Sequence, residues 1–357
     1  KLAKVTFPGY VTEIGSYAFA GCTDASFEVE FTGEANDPKL TIREKAFYGC
    51  TYLKQVVLAP NVQAIEINAF GGNSLLKTVT VNSNGQKAEG QDVPTLNFDN
   101  YAFADVRIPN MPYNFSVTAL TIGADVPAFD LVNVFGDNLT TFVIDANNQN
   151  YSAEDNVIYD KAKTRIIFYP KTKTGEYVIP DTVLEIADNT FANRVFLTKV
   201  TVGKNVQKIG ASAFENCHAL TEVVFADQSV LTSIGNYAFR GCQQLQTVTL
   251  PAKLKTLGAE NQDMLVFDGC GQLKTINIAE GNASFAQENG ILYALDADGN
   301  KAELICVAAI EQDAVLDLPA TLTKISARAF AKNTRVKEVV FTNGITTSLT
   351  ISDEAFK

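Results

Sequence analysis

The stretch Leu231–Pro251, LTSIGNYAFRGCQQLQTVTLP, decides the fold because its two phrases recur along the chain. The first phrase, L-x-x-I-G-x-x-A-F-x-G-C, spans Leu231–Cys242, and the second, L-x-x-V-x-L-P, spans Leu245–Pro251. Further copies of the first phrase lie around Val11–Cys22, Val62–Phe70, Val206–Cys217 and Leu322–Phe330. A fixed internal period is typical of a solenoid, in which each copy forms one turn and stacks on the next. The sequence therefore predicts a β-rich solenoid that forms a single domain over residues 1–357.

These phrases resemble the leucine-rich repeat, specifically the BspA-like class of bacterial surface proteins. That class carries L-x-x-I-x-I-P followed by L-x-x-I-G-x-x-A-F-x-x-C, and whole copies match it over nearly all of this chain. The resemblance implies a right-handed coil with a parallel sheet on one face, and a place on the cell surface or outside the cell. The Asn of the commoner leucine-rich consensus falls at Asn61, Asn84, Asn147 and Asn205 only.

The phenylalanine at the A-F position of each copy of the first phrase serves here as the index of a turn. The number of these phenylalanines predicts about eleven turns. The index phenylalanines are Phe19, Phe47, Phe70, Phe103, Phe135, Phe191, Phe214, Phe239, Phe267, Phe330 and Phe356. Burying one such ring is worth roughly 1.5–3 kcal/mol, so we expect the rings to form one buried column. Five cysteines, each three residues after an index phenylalanine, are expected to line a parallel column as free thiols: Cys22, Cys50, Cys217, Cys242 and Cys270. Around residue 129 we place Phe129 in the Ile position and Phe135 in the A-F position.

Two intervals between index residues, Phe135 to Phe191 and Phe267 to Phe330, are too long for one repeat. Both contain the same extra unit, in which apolar residues alternate around a polar turn, as in a β-hairpin. We therefore predict β-hairpin inserts at about 145–180 and about 279–319. The stretch from about 82 to 116 is irregular.

The alternation of side chains along a strand predicts which residues face solvent on the repeat sheet. In Leu245–Leu250 the residues Val248 and Leu250 are expected to point inward, and Gln246, Thr247 and Thr249 outward. Outward residues of neighbouring turns form our first candidate contact set: Lys199, Glu222, Gln246, Thr247, Thr249 and Thr275. Tyr101 and Tyr113, in the irregular stretch, form the second set, although these aromatics could equally fill a degenerate repeat.

Composition and charge disfavour several classes of function. A net charge of −11 disfavours nucleic acid and anionic membranes, which need basic surfaces. No apolar run approaches the eighteen or so residues of a membrane span. The single histidine, His218, occupies an ordinary turn position, and no C-x-x-C pair is present, so we expect no catalytic residue, metal site or cofactor. The chain opens with Lys1 and not Met, so we expect a fragment from which a signal or anchor was removed.

Three functions remain open at this point. The first, which the resemblance implies, is a non-enzymatic binding or adhesion module that acts as a monomer. Its partner would be an extracellular-matrix protein, another surface protein or a glycan, contacted through an extended face. The second is a structural spacer that presents another domain of a larger surface protein. The third, an enzyme, finds least support because acidic residues are scattered over turns without a repeated cleft.

Overall fold

The computed structural model describes residues 2–82, 96–104, 116–258, 265–310, 312–331, 333, 335–341 and 348–357. The chain divides into two compact units, Lys1–Ala162 with Ile167–Pro170, and Lys163–Ile166 with Lys171–Lys357. Each unit is built from stacked, mostly parallel strands with almost no helix, which confirms the predicted β-rich repeat coil. The expected single domain over 1–357 stays a prediction.

In the first unit each turn supplies a longer strand to a front sheet and a short strand to a second sheet. The elements in chain order are β1 (Lys4–Phe7), β2 (Glu13–Ile14), β3 (Glu28–Phe31), β4 (Leu40–Ile42), β5 (Gln55–Leu58), β6 (Val62–Ile65), β7 (Thr78–Val81), β8 (Asn97–Phe98), β9 (Ala119–Ile122), α1 (Leu131–Phe135), β10 (Thr141–Ile144), β11 (Tyr151–Glu154) and β12 (Val157–Asp160). Front strands pair in the orders β1-β3 and β10-β9-β7-β5, and second-sheet strands in the order β2-β4-β6-β8.

Strand β13 (Ile166–Phe168) contains the division between the units, since Ile166 belongs to the second unit and Ile167 to the first. The second unit then repeats the same plan. Its strands are β14 (Gly175–Val178), β15 (Glu185–Ile186), β16 (Leu197–Val202), β17 (Lys208–Ile209), β18 (Glu222–Phe225), β19 (Ser233–Ile234), β20 (Thr247–Leu250), β21 (Thr256–Leu257), β22 (Thr275–Ile278), β23 (Phe285–Glu288), β24 (Ile291–Leu295), β25 (Lys301–Val307), β26 (Ala314–Leu318), β27 (Lys324–Ile325), β28 (Val336–Phe341) and β29 (Thr350–Ile351). The front orders are β14-β16-β18-β20-β22 and β26-β28, and the second-sheet orders are β15-β17-β19-β21 and β23-β24-β25-β27-β29.

Burial along β20 confirms the predicted pleat. Val248 and Leu250 are buried, whereas Gln246, Thr247 and Thr249 are exposed. The same alternation holds in β5 and β7. Because the inward residues of successive strands stack on one another, each new turn extends the apolar core instead of closing it.

The index phenylalanines stack within each unit, but in the second unit they form two stacks, Phe191 to Phe267 and Phe330 with Phe356, and among the described residues no ring contact joins Phe267 and Phe330 across the second insert. In the second unit the ring of Phe214 lies between those of Phe191 and Phe239, with centroid distances of 4.8 and 5.3 Å and nearly parallel planes. In the first unit Phe70 stacks on Phe103 at 5.1 Å, and Phe103 on Phe135 at 4.7 Å. Near-parallel rings at these separations are a favourable aromatic arrangement. The stack is therefore a main component of each core.

The turn near residue 129 has the predicted alignment. Phe129 lies 4.8 Å from Phe98 of the second sheet, which confirms its placement in the Ile position. The index residue Phe135 is supplied by the short helix α1, which the sequence analysis did not predict.

The outermost rings are less covered: Phe19 is half-buried and Phe356 is 49% exposed, since each has a ring neighbour on one side only along the stack.

All six cysteines are free, as predicted. The Sγ atoms of Cys217, Cys242 and Cys270 each donate to the carbonyl of the index phenylalanine one turn earlier, at 3.0–3.2 Å. Burial raises the pKa of Cys217 and Cys50 to about 12. The pKa of Cys242 is also raised, by its contact with Cys270 and by burial. These thiols are therefore packed, protonated hydrogen-bond donors.

The A-F turn forms the third wall of each repeat, because its backbone bonds directly to the next turn. Phe191 N–H donates to the Ala213 carbonyl at 2.7 Å, and Phe214 N–H donates to the Ala238 carbonyl at 2.8 Å. The residue before the index phenylalanine is Ala in most turns and Thr190, Val134 or Val266 in the others, so this close approach is made with small or β-branched side chains. Gly235 of the I-G corner has a related role, since a Cβ there would lie 2.5 Å from the backbone nitrogen of Ala211.

The inserts contain the predicted hairpins and one strand more. In the second insert β23, β24 and β25 are successively antiparallel, and β25 then pairs in parallel with β27, so it takes the place of a second-sheet strand. The predicted insert ranges also include β14 and β26, which pair in parallel with β16 and β28 and so belong to front sheets. The extra unit is thus integrated into the stack of turns.

Two asparagines, the buried Asn148 and the half-buried Asn282, tie the inserts to the preceding turns. Asn148 Nδ2 donates to the carbonyls of Gly123 and Val126, at 2.7 and 3.2 Å, and its Oδ1 accepts from two backbone N–H groups. Asn282 makes the equivalent contacts at the second insert, with donation to the Pro251 and Leu254 carbonyls. The bonding residue at the first insert is therefore Asn148 and not its neighbour Asn147, which is exposed.

Candidate functional site

The predicted contact residues of the sheet lie side by side on the front sheet of the second unit. Lys199 on β16 pairs in register with Glu222 on β18, Glu222 with Thr247 on β20, and Thr247 with Thr275 on β22. Thr249 belongs to the neighbouring outward column, and Gln246 directly precedes β20. The structure thus brings together all six residues of the first candidate set.

The charges in this column compensate one another. Lys199 Nζ lies 2.9 Å from the Glu222 carboxylate, and this hydrogen bond raises the pKa of Lys199. Glu176 on β14 pairs with Lys199 from the other side and adds to the effect. The rest of the column consists of threonines, so the face presents hydroxyl groups beside the Lys199–Glu222 ion pair and the flanking Glu176.

The tyrosines of the second candidate set are placed differently. Tyr101 belongs to the first unit and occupies the A-F turn two residues before Phe103, with φ of 67°. Its backbone N–H donates to the Asn133 carbonyl at 2.7 Å. Tyr17 and Tyr237 occupy the same position in other turns, also with positive φ, so Tyr101 fills a regular repeat position. Tyr113 lies outside the described residues.

A groove on the front sheet was missed by the sequence analysis, and its origin is Pro251. In this sheet the residue after each strand donates its N–H to the last carbonyl of the preceding strand: Ala226 donates to Val202 at 3.0 Å, and Ala279 to Leu250 at 2.9 Å. Pro251 holds the equivalent position after β20, but proline has no N–H. The Phe225 carbonyl therefore lacks this donor, and the β18–β20 register ends at Val223 and Val248, whereas β20 and β22 pair over four residues.

The two strands separate beyond that point and leave a groove of about 500 Å³. A long loop forms its rim, because five residues separate Phe225 from Leu231, against three between Leu250 and Leu254. The lining comes from the whole of β18, from Thr247 and Thr249 of β20, from this loop, from Pro251–Lys253 and from Ala279. It includes Glu222, Thr247 and Thr249 of the first candidate set, so the groove opens directly onto the predicted contact face. The signal in the sequence was the L-P pair at 250–251 together with the lengthened loop.

Other features have no site-like geometry. His218 is exposed in the turn after Cys217. No three or more His, Cys, Asp or Glu side chains are grouped to hold a metal ion in the part of the chain that the structure describes. The same described residues include no helix that is long and apolar enough to cross a membrane.

Comparison with known proteins places these features in a family context. The family "BspA type Leucine rich repeat region" matches residues 1–120, 164–289 and 312–357 in six copies, and the unmatched intervals contain β11 and β12 of the first insert and β24 and β25 of the second. A comparison with curated proteins gave no match.

Solved structures resemble the chain at low sequence identity. A leucine-rich cell surface protein from Faecalibacterium prausnitzii is 24% identical with a TM-score of 0.46, over 96% of this chain and 80% of that chain. The pneumococcal vaccine antigen PcpA is 18% identical with a TM-score of 0.48, over 96% and 80%. A leucine-rich repeat protein from Eubacterium ventriosum is 21% identical with a TM-score of 0.46, over 99% and 90%.

Proposed function

Since this chain belongs to the BspA-type leucine-rich repeat family, we propose that it is a non-enzymatic binding module on a bacterial surface or outside the cell. It acts in adhesion as a monomer and contacts one macromolecule, an extracellular-matrix protein, another surface protein or a glycan. The contact face is the front sheet of the second unit. The observation that carries this proposal is the in-register outward column Lys199, Glu222, Thr247 and Thr275, which stands on neighbouring strands and ends in hydroxyls and a neutralised pair.

The dimensions of the face limit how a partner binds. Five strands at about 4.8 Å spacing and about 13 Å in length present roughly 300 Å². A stable protein partner usually covers about 800 Å² of each molecule. A protein partner therefore has to contact flanking turns as well, and each turn contributes only a part of the binding free energy. With a net charge of −11, long-range attraction favours basic partners and weakens with salt.

A variant of the whole column tests the proposal. Lys199→Ala, Glu222→Ala, Thr247→Ala and Thr275→Ala are combined, because single changes on a repeated surface have small effects. Binding of the full chain is measured on immobilised collagen, fibronectin, laminin and a glycan array. We expect the variant to lose binding by at least about tenfold on whichever surface the wild type recognises.

The matched control changes the same column in the first unit, where Gln55, Thr78 and Thr141 stand in register through Ala119. Replacing these three residues by Ala should leave binding unchanged. Full-strength binding by the folded second-unit variant would place the contact surface elsewhere. An activity that turns over any substrate and copurifies with the protein would contradict a non-enzymatic role.

A further inference from the structure

We propose that the groove at the open end of β18 and β20 binds a short neutral oligosaccharide. This inference rests on the proposed binding function and names the ligand class for one part of the same face. The groove is built into the fold, since it results from the missing N–H of Pro251 and the long loop after Phe225. Its volume of about 500 Å³ lies in the range of sites that enclose small ligands, about 300–1,000 Å³.

The apolar part of the groove suits one face of a sugar ring. Phe225 at the end of β18 is half-buried, and Val224 beside it is also half-buried, whereas Pro251 at the end of β20 is buried. At the positions equivalent to Phe225, the neighbouring strands carry the smaller residues Val202 and Leu250, both fully buried. Within this five-stranded sheet the partly exposed aromatic residue is therefore specific to β18, and as part of the groove lining it adds an apolar surface beside the polar rim.

The polar part of the groove offers both hydrogen-bond acceptors and donors. The carboxylates of Glu222 and Asp227 line it together with the Phe225 residue, whose carbonyl receives no N–H from the next strand. The Thr247 and Thr249 hydroxyls, both on exposed residues, can donate or accept. A ligand rich in hydroxyl groups matches this lining, because each hydroxyl can donate to a carboxylate or carbonyl and accept from a threonine.

The charges in and around the groove indicate a neutral ligand. Glu222 is already paired with Lys199 at 2.9 Å, and the lining contains one further acidic residue, Asp227, and one basic residue, Lys253. A cationic peptide therefore meets no excess of negative charge in the groove. Sulfated or sialylated glycans are disfavoured by the net charge of −11. A folded protein is too large for the groove itself, because a stable protein interface needs about 800 Å² on each side.

Two substitutions in the groove, each with a matched control, test the proposal on the full chain. Phe225→Val gives β18 the residue that β16 has at the same position, and its control is Phe341→Val, since residues 222–225 and 338–341 share the sequence E-V-V-F. Thr249→Val removes one groove hydroxyl, and its control is Thr201→Val in the same outward column on β16. Circular dichroism of each variant, compared with that of the wild type, checks that all four fold.

The probe is an array of neutral oligosaccharides built from glucose, galactose, mannose and N-acetylglucosamine, beside sialylated and sulfated oligosaccharides and a lysine-rich peptide. Affinities for bound probes are then measured by calorimetry. We expect the wild type to bind a neutral oligosaccharide, Phe225→Val to weaken that binding by at least about tenfold, Thr249→Val to weaken it by about fivefold, and both controls to stay within about twofold.

The groove proposal is overturned if no neutral oligosaccharide binds, if the charged probes bind more tightly, or if Phe225→Val binds as well as Phe341→Val. Its failure is separable from failure of the proposed function. Loss of a matrix-protein contact in the Lys199, Glu222, Thr247 and Thr275 variant, without any neutral oligosaccharide binding, overturns the groove proposal alone. Oligosaccharide binding that depends on Phe225, together with a matrix contact that the column variant leaves intact, overturns the extended face and supports the groove.

Discussion

Replacing Phe214 by alanine should be among the most destabilising single changes in the second unit. The Phe214 ring is fully buried and stacks on Phe191 at 4.8 Å and on Phe239 at 5.3 Å. Loss of its burial accounts for roughly 1.5–3 kcal/mol, and each ring contact adds about 0.5–1.5 kcal/mol. The cavity left behind cannot be filled by neighbouring turns, which are held by backbone bonds at 2.7–2.8 Å. We therefore expect a loss of about 3–5 kcal/mol in the free energy of unfolding.

Urea unfolding followed by far-ultraviolet circular dichroism measures this loss, because the chain has no tryptophan for fluorescence. Phe196→Ala is the control: Phe196 is 55% exposed in the same unit, and its loss should cost about 1 kcal/mol or less. A solenoid is stabilised by contacts between neighbouring turns, so Phe214→Ala should also broaden the transition by uncoupling the turns on either side. Equal losses for the two variants, or a Phe214→Ala loss below about 1 kcal/mol, would refute the view that the phenylalanine stack carries the core.

Three further outcomes are expected. Asn148→Ala should destabilise the protein by roughly 2–4 kcal/mol because four hydrogen bonds of a buried amide are lost, whereas Asn147→Ala, at an exposed position, should change the free energy of unfolding by less than about 1 kcal/mol. Six thiols should titrate in denaturant without reductant, and Cys217 should react slowly in the native protein at pH 7, since only a thiolate is nucleophilic; a count of four or fewer would contradict the free-thiol column. Burial raises the pKa of Cys217 from 9.0 to about 12. The protonated Cys217 thiol therefore stabilises the fold in full below pH 9, and the free energy of unfolding should fall by about 1.4 kcal/mol per pH unit as the pH rises toward 12. Cys217→Ala should flatten this fall, which urea unfolding measures at each pH.

The repeat itself explains which parts of the fold could be predicted. Inward and outward residues of β20 follow from a period of two, and the phenylalanine column follows from one residue type at a fixed phase. Strand β3 was missed because its spacing departs from the second phrase. The buried Phe27 stands two residues before the inward Val29, whereas Leu245 stands three residues before the inward Val248. The short second-sheet strands were missed for another reason. At two to four residues they contain too few side chains to show a period.

The groove could not be predicted from a list of functional residues, because it results from an absent hydrogen-bond donor. Proline follows directly after β1 and β26, at Pro8 and Pro319, and follows β14 after one intervening residue, at Pro180; each of these is the first strand of its front sheet. No strand is bonded in front of them in the sheet order, so the missing N–H leaves the ladder intact. Pro251 stands in the same phrase after β20, but there β18 lies in front, and the Phe225 carbonyl loses the donor that other turns supply. The same L-P pair therefore follows the first strand of a sheet at one turn, where no bond is lost, and removes a hydrogen bond between two strands at another. Only the strand order of the folded protein distinguishes the two cases.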